Sequence, residues 1–140
     1  MRVLVDTSVW IDFANGHPSD EAEILAQLIE EGEDVLTCGV IAAEFLQGLR
    51  SSRAVRKFSA HFRDMEWLSP QEPDTYEASA TLYRDLRKKG LTIRSTIDCL
   101  IARLAEDDGC FLLARDRDMT QILASGLVDL EALGAATSPG

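Results

Sequence analysis

Five acids in this chain stand where side chains could do chemistry together. Asp6 follows the apolar run Val3-Leu4-Val5 directly. Glu44 sits beside Ile41 and Phe45, at the border of an apolar helical stripe. Asp98 comes one residue after the core position Ile97. Asp116 and Asp118 follow Phe111-Leu112-Leu113 with only Ala114-Arg115 between. Each has an ordinary explanation taken alone. Asp6 can cap a helix starting at Ser8, and Asp98 completes Ser95-x-x-Asp98, a capping-box variant. Glu44 can be a surface residue, and Asp116 and Asp118 can be turn acids. Their combination is harder to explain that way. Two unit charges about 4 Å apart repel by roughly 4 kcal/mol at an effective dielectric near 20. Four or five converging carboxylates therefore need cations. Oxygen ligands with no His or Cys beside them favour hard metals, Mg²⁺ or Mn²⁺. Such sites handle phosphate: the cation polarises the phosphoryl group and makes water a better nucleophile.

The elements that would gather these acids are legible in the hydrophobic spacing. Val3–Val5, Val35–Thr37, Glu66–Leu68, Cys110–Leu113 and Leu127–Leu130 read as strands. Between them lie helical patterns: Ser8–Ala14, ended by Asn15-Gly16; a helix opened by an Asp20/Glu23 capping box, carrying Ala22, Leu25, Leu28 and Ile29, and stopped by Gly32; Ile41, Phe45 and Leu49; Val55, Phe58 and Phe62; a long helix from Tyr76 to Gly90; Ser95 to Asp108; and Thr120–Ala124. Strands alternating with helices predict a parallel sheet covered on both faces. In such sheets ligands sit beyond the carboxyl ends of the strands, where Asp6 lies.

The length, 140 residues, suits one domain, and 46% apolar with 27% charged residues suits a packed core. No apolar run approaches a membrane span, and the N-terminus does not resemble a secretory signal. Cys38, Cys99 and Cys110 read as small core residues of a reducing compartment. With only His17 and His61, chemistry that needs a histidine pair is disfavoured. The net charge of -10 is uneven. Residues 1–34 carry nine acids and one base, whereas 35–70 carry three acids and five bases. An acidic chain is a poor general binder of nucleic acid. The cluster Arg50, Arg53, Arg56, Lys57 and Arg63 is either a solvated helix face or a local phosphate-contacting patch.

With these residues in place the sequence resembles the PIN-domain ribonucleases, and within them the VapC-type toxins of toxin–antitoxin pairs. The resemblance is carried by Val3-Leu4-Val5-Asp6-Thr7-Ser8, by Ala43-Glu44, by Gly90-Leu91-Thr92-Ile93 leading into Asp98-Cys99-Leu100-Ile101-Ala102, and by Leu112-Leu113-Ala114-Arg115-Asp116-Arg117-Asp118. It covers residues 1 to about 131. One departure is Met119, where an aromatic is common in the family. The resemblance implies a three-layer α/β/α sandwich with a central five-stranded parallel sheet over residues 1–131, leaving 132–140 as a flexible tail. It implies Asp6, Glu44, Asp98 and Asp116 as a catalytic acidic quartet that, with Asp118 as auxiliary ligand, holds Mg²⁺ or Mn²⁺. Thr7 or Ser8 would offer a hydroxyl to the site. It further implies cleavage of structured RNA such as tRNA or rRNA, a homodimer, a VapB-like antitoxin whose tail blocks the site, and a bacterial or archaeal cytoplasm. Arg115 and Arg117 are candidates for RNA backbone contacts, or else neutralise Asp116 and Asp118.

Two other classes compete. A phosphoacceptor signalling domain also gathers acids around Mg²⁺, but it wants a Lys after a late strand, and Lys57, Lys88 and Lys89 do not supply one. A non-catalytic PIN-like binding module typically lacks acids, and none is missing here.

Overall fold

The computed structural model describes residues 1–134. Chain order runs β1 (Arg2–Val5), α1 (Thr7–Asn15), α2 (Asp20–Glu30), β2 (Asp34–Cys38), α3 (Gly39–Gln47), α4 (Ser52–Arg63), β3 (Glu66–Leu68), α5 (Asp74–Lys88), α6 (Thr96–Asp108), β4 (Phe111–Leu113), α7 (Arg117–Ala124) and β5 (Ala132–Leu133). All five strands are parallel, in the order β3-β2-β1-β4-β5. Helices α1 to α4 pack together as one outer layer and α5 to α7 as the other, giving the expected α/β/α sandwich.

β1 is central because its sequence is apolar at every inner position. Val3, Leu4 and Val5 are fully buried, as a strand covered on both faces requires. β1 pairs with β2 on one side and β4 on the other. The chain builds outward through β2 and β3, then crosses back to place β4 beyond β1. The order reverses between β1 and β4, which opens the crevice where such sheets bind ligands. Asp6 ends one wall of it and Asp116 the other.

The layer on the α1 side is anchored by an aromatic cluster. Trp10 is fully buried, with ring centroids 4.9 Å from Phe62, 5.9 Å from Phe13 and 6.1 Å from Phe45. It ties α1 to α3 and α4 directly behind Asp6. The cost of truncating such a core aromatic to Ala is about 3–5 kcal/mol. On α4, Phe58 and Phe62 face inward while Arg53, Arg56, Lys57 and Arg63 are exposed, as either a solvated face or a phosphate-contacting patch requires. Cys38, Cys99 and Cys110 are buried and free.

Three local expectations are corrected. The last strand is Ala132–Leu133, not Leu127–Leu130. β5 pairs with β4 through Leu112↔Ala132 and Leu113↔Leu133, so the ordered sheet runs past residue 131. The apolar spacing at Leu127, Val128 and Leu130 instead packs half-buried side chains against the core. The rest of the expected tail, 135–140, lies outside the described residues. The cap of α2 is Ser19, whose hydroxyl accepts from Ala22 N at 3.1 Å; Asp20 is already in the first turn. Ser95 caps α6 through Ile97 N at 3.1 Å, without help from Asp98. Among the described residues no helix is long and apolar enough to cross a membrane.

Candidate metal centre

Asp6 answers the question of caps first. It occupies the N-cap position of α1 but makes no side-chain capping hydrogen bond. Its Oδ2 instead accepts from the Ser8 hydroxyl at 3.2 Å, and the residue is 4% exposed. A buried carboxylate that does not cap has another role. Asp98 likewise leaves the capping to Ser95 and projects from the first turn of α6. Asp116 does both. Its Oδ2 caps α7 by accepting from Asp118 N at 3.1 Å and Met119 N at 3.4 Å, while Oδ1 faces Arg94 at 3.3 Å. Glu44, one turn inside α3, is half-buried and lies at the limit of hydrogen-bond reach of the Thr7 hydroxyl, 3.5 Å.

Asp6, Thr7, Ser8, Glu44, Asp98, Asp116 and Asp118 line one open pocket of ≈ 360 Å³ at the carboxyl edge of the sheet. One oxygen each from Asp98, Asp116 and Asp118 lies within 4.8 Å of the other two. This trio is the tightest grouping, with Asp6 and Glu44 on the facing wall. The sequence points first to Asp6 and Asp98, with Asp118 as auxiliary; in the structure Asp118 belongs to the close trio together with Asp98 and Asp116.

The electrostatics follow from burial and crowding. Asp98 is pushed up to about 7, first by burial and then by the charges of Asp6, Asp116, Asp118 and Glu44. Asp6 is pushed up to about 6, mainly by burial; the Thr7 backbone and Ser8 hydroxyl hold it back in part. Asp118 goes the other way. Burial works against its ionised form, but the backbone N–H and guanidinium of Arg94 outweigh burial and keep it below the ordinary carboxylate value. The donor set fits a hard divalent cation: only carboxylate and hydroxyl oxygens line the pocket beside Arg94 and two apolar residues, and burial together with the neighbouring carboxylates raises the proton affinity of two of the acids.

Two residues important to the site carry no obvious signal in the sequence. Arg94 donates from its backbone N–H and Nε to Asp118 Oδ2 at 3.1 and 3.0 Å, and from Nη2 to Asp116. A lone cation between the buried Ile93 and the capping Ser95 was the available clue. Asp12, an acid inside the apolar run Val9–Phe13, is buried on α1 and meets Arg115. Arg115 Nε lies 2.7 Å from Asp12 Oδ2, and Nη2 donates to Oδ1 at 3.3 Å. The Arg115 guanidinium is thus engaged by Asp12 and neutralises neither Asp116 nor Asp118, the task that falls to Arg94. Its backbone N–H reaches Ser8 Oγ at 3.4 Å, so this pair clips the start of α1 to the loop that carries Asp116. Arg117 is exposed in α7's first turn, where its charge adds to that of Arg94 in lowering Asp118, and neither His17 nor His61 lines the pocket.

A PIN-domain family model matches residues 3–123, a span that holds all five acids. The chain belongs to the PIN-domain family. Its relatives place this PIN domain with the VapC proteins. Ribonuclease VapC11 of Mycobacterium tuberculosis (strain H37Rv) and VapC ribonuclease Mb1587 of Mycobacterium bovis are each 32% identical over 121 residues, covering 86% of this chain and 90% of theirs. Among solved structures, VapBC-1 from nontypeable Haemophilus influenzae superposes with a TM-score of 0.70 at 20% identity, over 95% of this chain and 97% of that one. VapBC2 from Rickettsia felis, bound to a promoter DNA fragment, gives 0.69 at 20%, over 95% and 99%. At that identity the superpositions speak for the fold alone.

Proposed function

We propose that this PIN domain is a divalent-metal-dependent endoribonuclease and the toxin of a toxin–antitoxin pair. The observation that supports it best is the pocket itself: five carboxylates from four separate segments meet at the sheet's switch point, two of them held near protonation, with one arginine as counter-charge. The VapC relatives' names supply the reaction class, RNA hydrolysis.

Asp98, Asp116 and Asp118 are the residues that would hold a Mg²⁺ or Mn²⁺ ion, with Asp6 and Glu44 opposite them as further ligands or orienting groups. When bound, the ion supplies Lewis-acid polarisation of the phosphodiester and makes water acidic enough to attack. The chain's own residues do the rest. Burial and the neighbouring carboxylates raise the proton affinity of Asp6 and Asp98, and a bound cation would favour their ionised forms. Ser8 donates to Asp6 Oδ2 and so fixes the rotamer of that carboxylate. Thr7, beside Glu44, offers a hydroxyl at the pocket mouth. No side chain need act as nucleophile. The protein would act as a homodimer held in check by a VapB-like antitoxin, whose cationic tail suits an acidic mouth; the H. influenzae and R. felis neighbours are VapBC assemblies. A structured RNA, tRNA or rRNA, is the substrate class, and the bacterial or archaeal cytoplasm the setting.

The test is cleavage of total RNA by purified protein in Mn²⁺, with EDTA and Asp98→Asn as controls. Cleavage that survives either control removes the proposed site from the reaction.

A further inference from the structure

The acid pocket does not end at Arg94. Beyond that arginine lies a second cavity of ≈ 450 Å³, walled by Gly90, Leu91, Thr92, Arg117 and Gln121, with Arg94 and Asp118 shared between the two. The volume is that of a small-molecule or nucleotide site. Its chemistry is opposite to its neighbour's. Two arginines stand at it, and its single acid, Asp118, is already turned onto Arg94. Leu91 gives a half-buried apolar wall. Gln121 adds a polar side chain to the wall, although its carbonyl oxygen is itself buried.

Arg94 couples the two cavities. Its side chain is 74% exposed, and the hydrogen bonds of its guanidinium go to Asp116 and Asp118. Those are two of the three residues whose oxygens cluster for a cation. A cation and Arg94 therefore compete for the same carboxylates. An arginine displaced from them is left at the boundary with a planar fork of free donors, the geometry that grips phosphate.

We propose that this second cavity is an RNA subsite holding the nucleotide next to the scissile phosphate. Arg94 and Arg117 take that nucleotide's phosphate, Leu91 lies against the base, and the Gln121 amide meets the base's polar edge. Arg94 is the counter-charge of Asp116 and Asp118, and would be free to grip the RNA where a cation took over those carboxylates. The occupant is RNA and not an acidic peptide for a reason of charge. Only a polymer whose anions accept a divalent cation on one side and arginine on the other can cross both cavities; a carboxylate tail here would leave the acids beside it unserved. This inference rests on the nuclease reading above.

The experiment measures binding separately from cleavage. A short fluorescein-labelled single-stranded RNA is titrated by anisotropy in Ca²⁺ with the wild type, Arg94→Gln, Arg117→Gln and Gln121→Leu, each checked by thermal unfolding. Mn²⁺ affinity is measured by calorimetry without RNA. Arg94→Gln and Arg117→Gln should each weaken RNA binding by about tenfold and lower its salt slope by about one. Gln121→Leu should keep the salt slope and change the preference among the four homopolymers. Arg94→Gln should bind Mn²⁺ more tightly while binding RNA more weakly, and Arg117→Gln, whose charge acts on Asp118 less than that of Arg94, should change Mn²⁺ affinity much less. A merely structural arginine would not give these opposite signs. In the wild type, amide shifts on adding a nucleoside 5′-monophosphate with Ca²⁺ should centre on Gly90–Thr92 and the Gln121 side chain. The subsite is overturned if the three variants bind RNA as the wild type does, if the shifts fall elsewhere, or if polyglutamate competes as well as RNA. RNA that binds in this way yet stays intact in Mn²⁺ retires the nuclease reading alone. RNA cut by the wild type, with binding unchanged in every variant, retires the subsite alone.

Discussion

The two ends of the sheet both collect carboxylates, and they treat them in opposite ways. At the amino end, Arg2 reaches Glu66 with Nη1 and Nη2 at 2.8 and 2.6 Å, and Asp108 with Nη2 and Nε at 2.8 and 3.1 Å. The N-terminal amine adds Glu33 at 2.8 Å. There the arginine's hydrogen bonds hold Glu66 below its ordinary value. At the carboxyl end more acids share less cation. Asp6 and Asp98 rise to about 6 and about 7, and the guanidinium of Arg94 makes its ion pairs with Asp116 and Asp118. The protein neutralises its acids at one edge and leaves them crowded at the other, where the proposed cation would supply the missing charge.

The sharpest way to break the contrast is Asp98→Asn. Cleavage in Mn²⁺ should fall by two orders of magnitude or more, about 3 kcal/mol or more of transition-state stabilisation. The metal-free melting temperature should hold or rise, because a charge has left a crowded pocket. A variant that melts early and still cuts would assign Asp98 to the scaffold.

Next comes pH. Asp6 and Asp98 bind protons more tightly in the folded chain than in the unfolded one, whose carboxylates titrate near 4. Their contribution to stability is therefore greatest at low pH and is lost as pH rises from about 4 through about 7. Without metal, the melting temperature should drop between about pH 5 and about pH 8; Asp98→Asn should flatten the drop, and Mn²⁺ should restore stability at the upper end by binding only the folded state. Glu66 and Asp118 shift downward, so their effect appears only at more acid pH. A metal-free curve that is flat or rising across this window would mean that the carboxyl-end acids are no more strained than the amino-end ones.

A smaller effect separates clip from ligand. Arg115→Ala strands Asp12, whose side chain is 6% exposed, and should cost about 1–3 kcal/mol in urea unfolding. Mn²⁺ affinity should weaken modestly, since the loop carrying Asp116 loses its hold on α1. If stability is untouched, the pair does not clip the two segments. The smallest change should come from Arg2→Ala. Its pairs are solvent-exposed, and exposed pairs contribute little. The melting temperature should fall slightly and cleavage in Mn²⁺ should stay at the wild-type rate. Loss of activity there would join the two ends that the structure keeps apart.

The sequence by itself determined the architecture and the order of the acids. Val3-Leu4-Val5 is apolar at both parities, which forces a strand buried on both faces, and alternating strand and helix patterns then dictate parallel pairing. Asp6, Asp98, Asp116 and Glu44 are visible because each follows or borders an apolar stretch whose element is readable from local periodicity. The final strand was misplaced because Ala132-Leu133 is too short to show a period, and its identity comes from pairing with Leu112 and Leu113. Only the tertiary structure decided which charges are neutralised. Arg94 and Asp118 are 24 residues apart, Arg115 and Asp12 are 103 apart, and Arg2 and Asp108 are 106 apart. Ion pairing depends on a few ångströms through space, and spacing along the chain carries no information about that distance until the sheet order places the segments side by side.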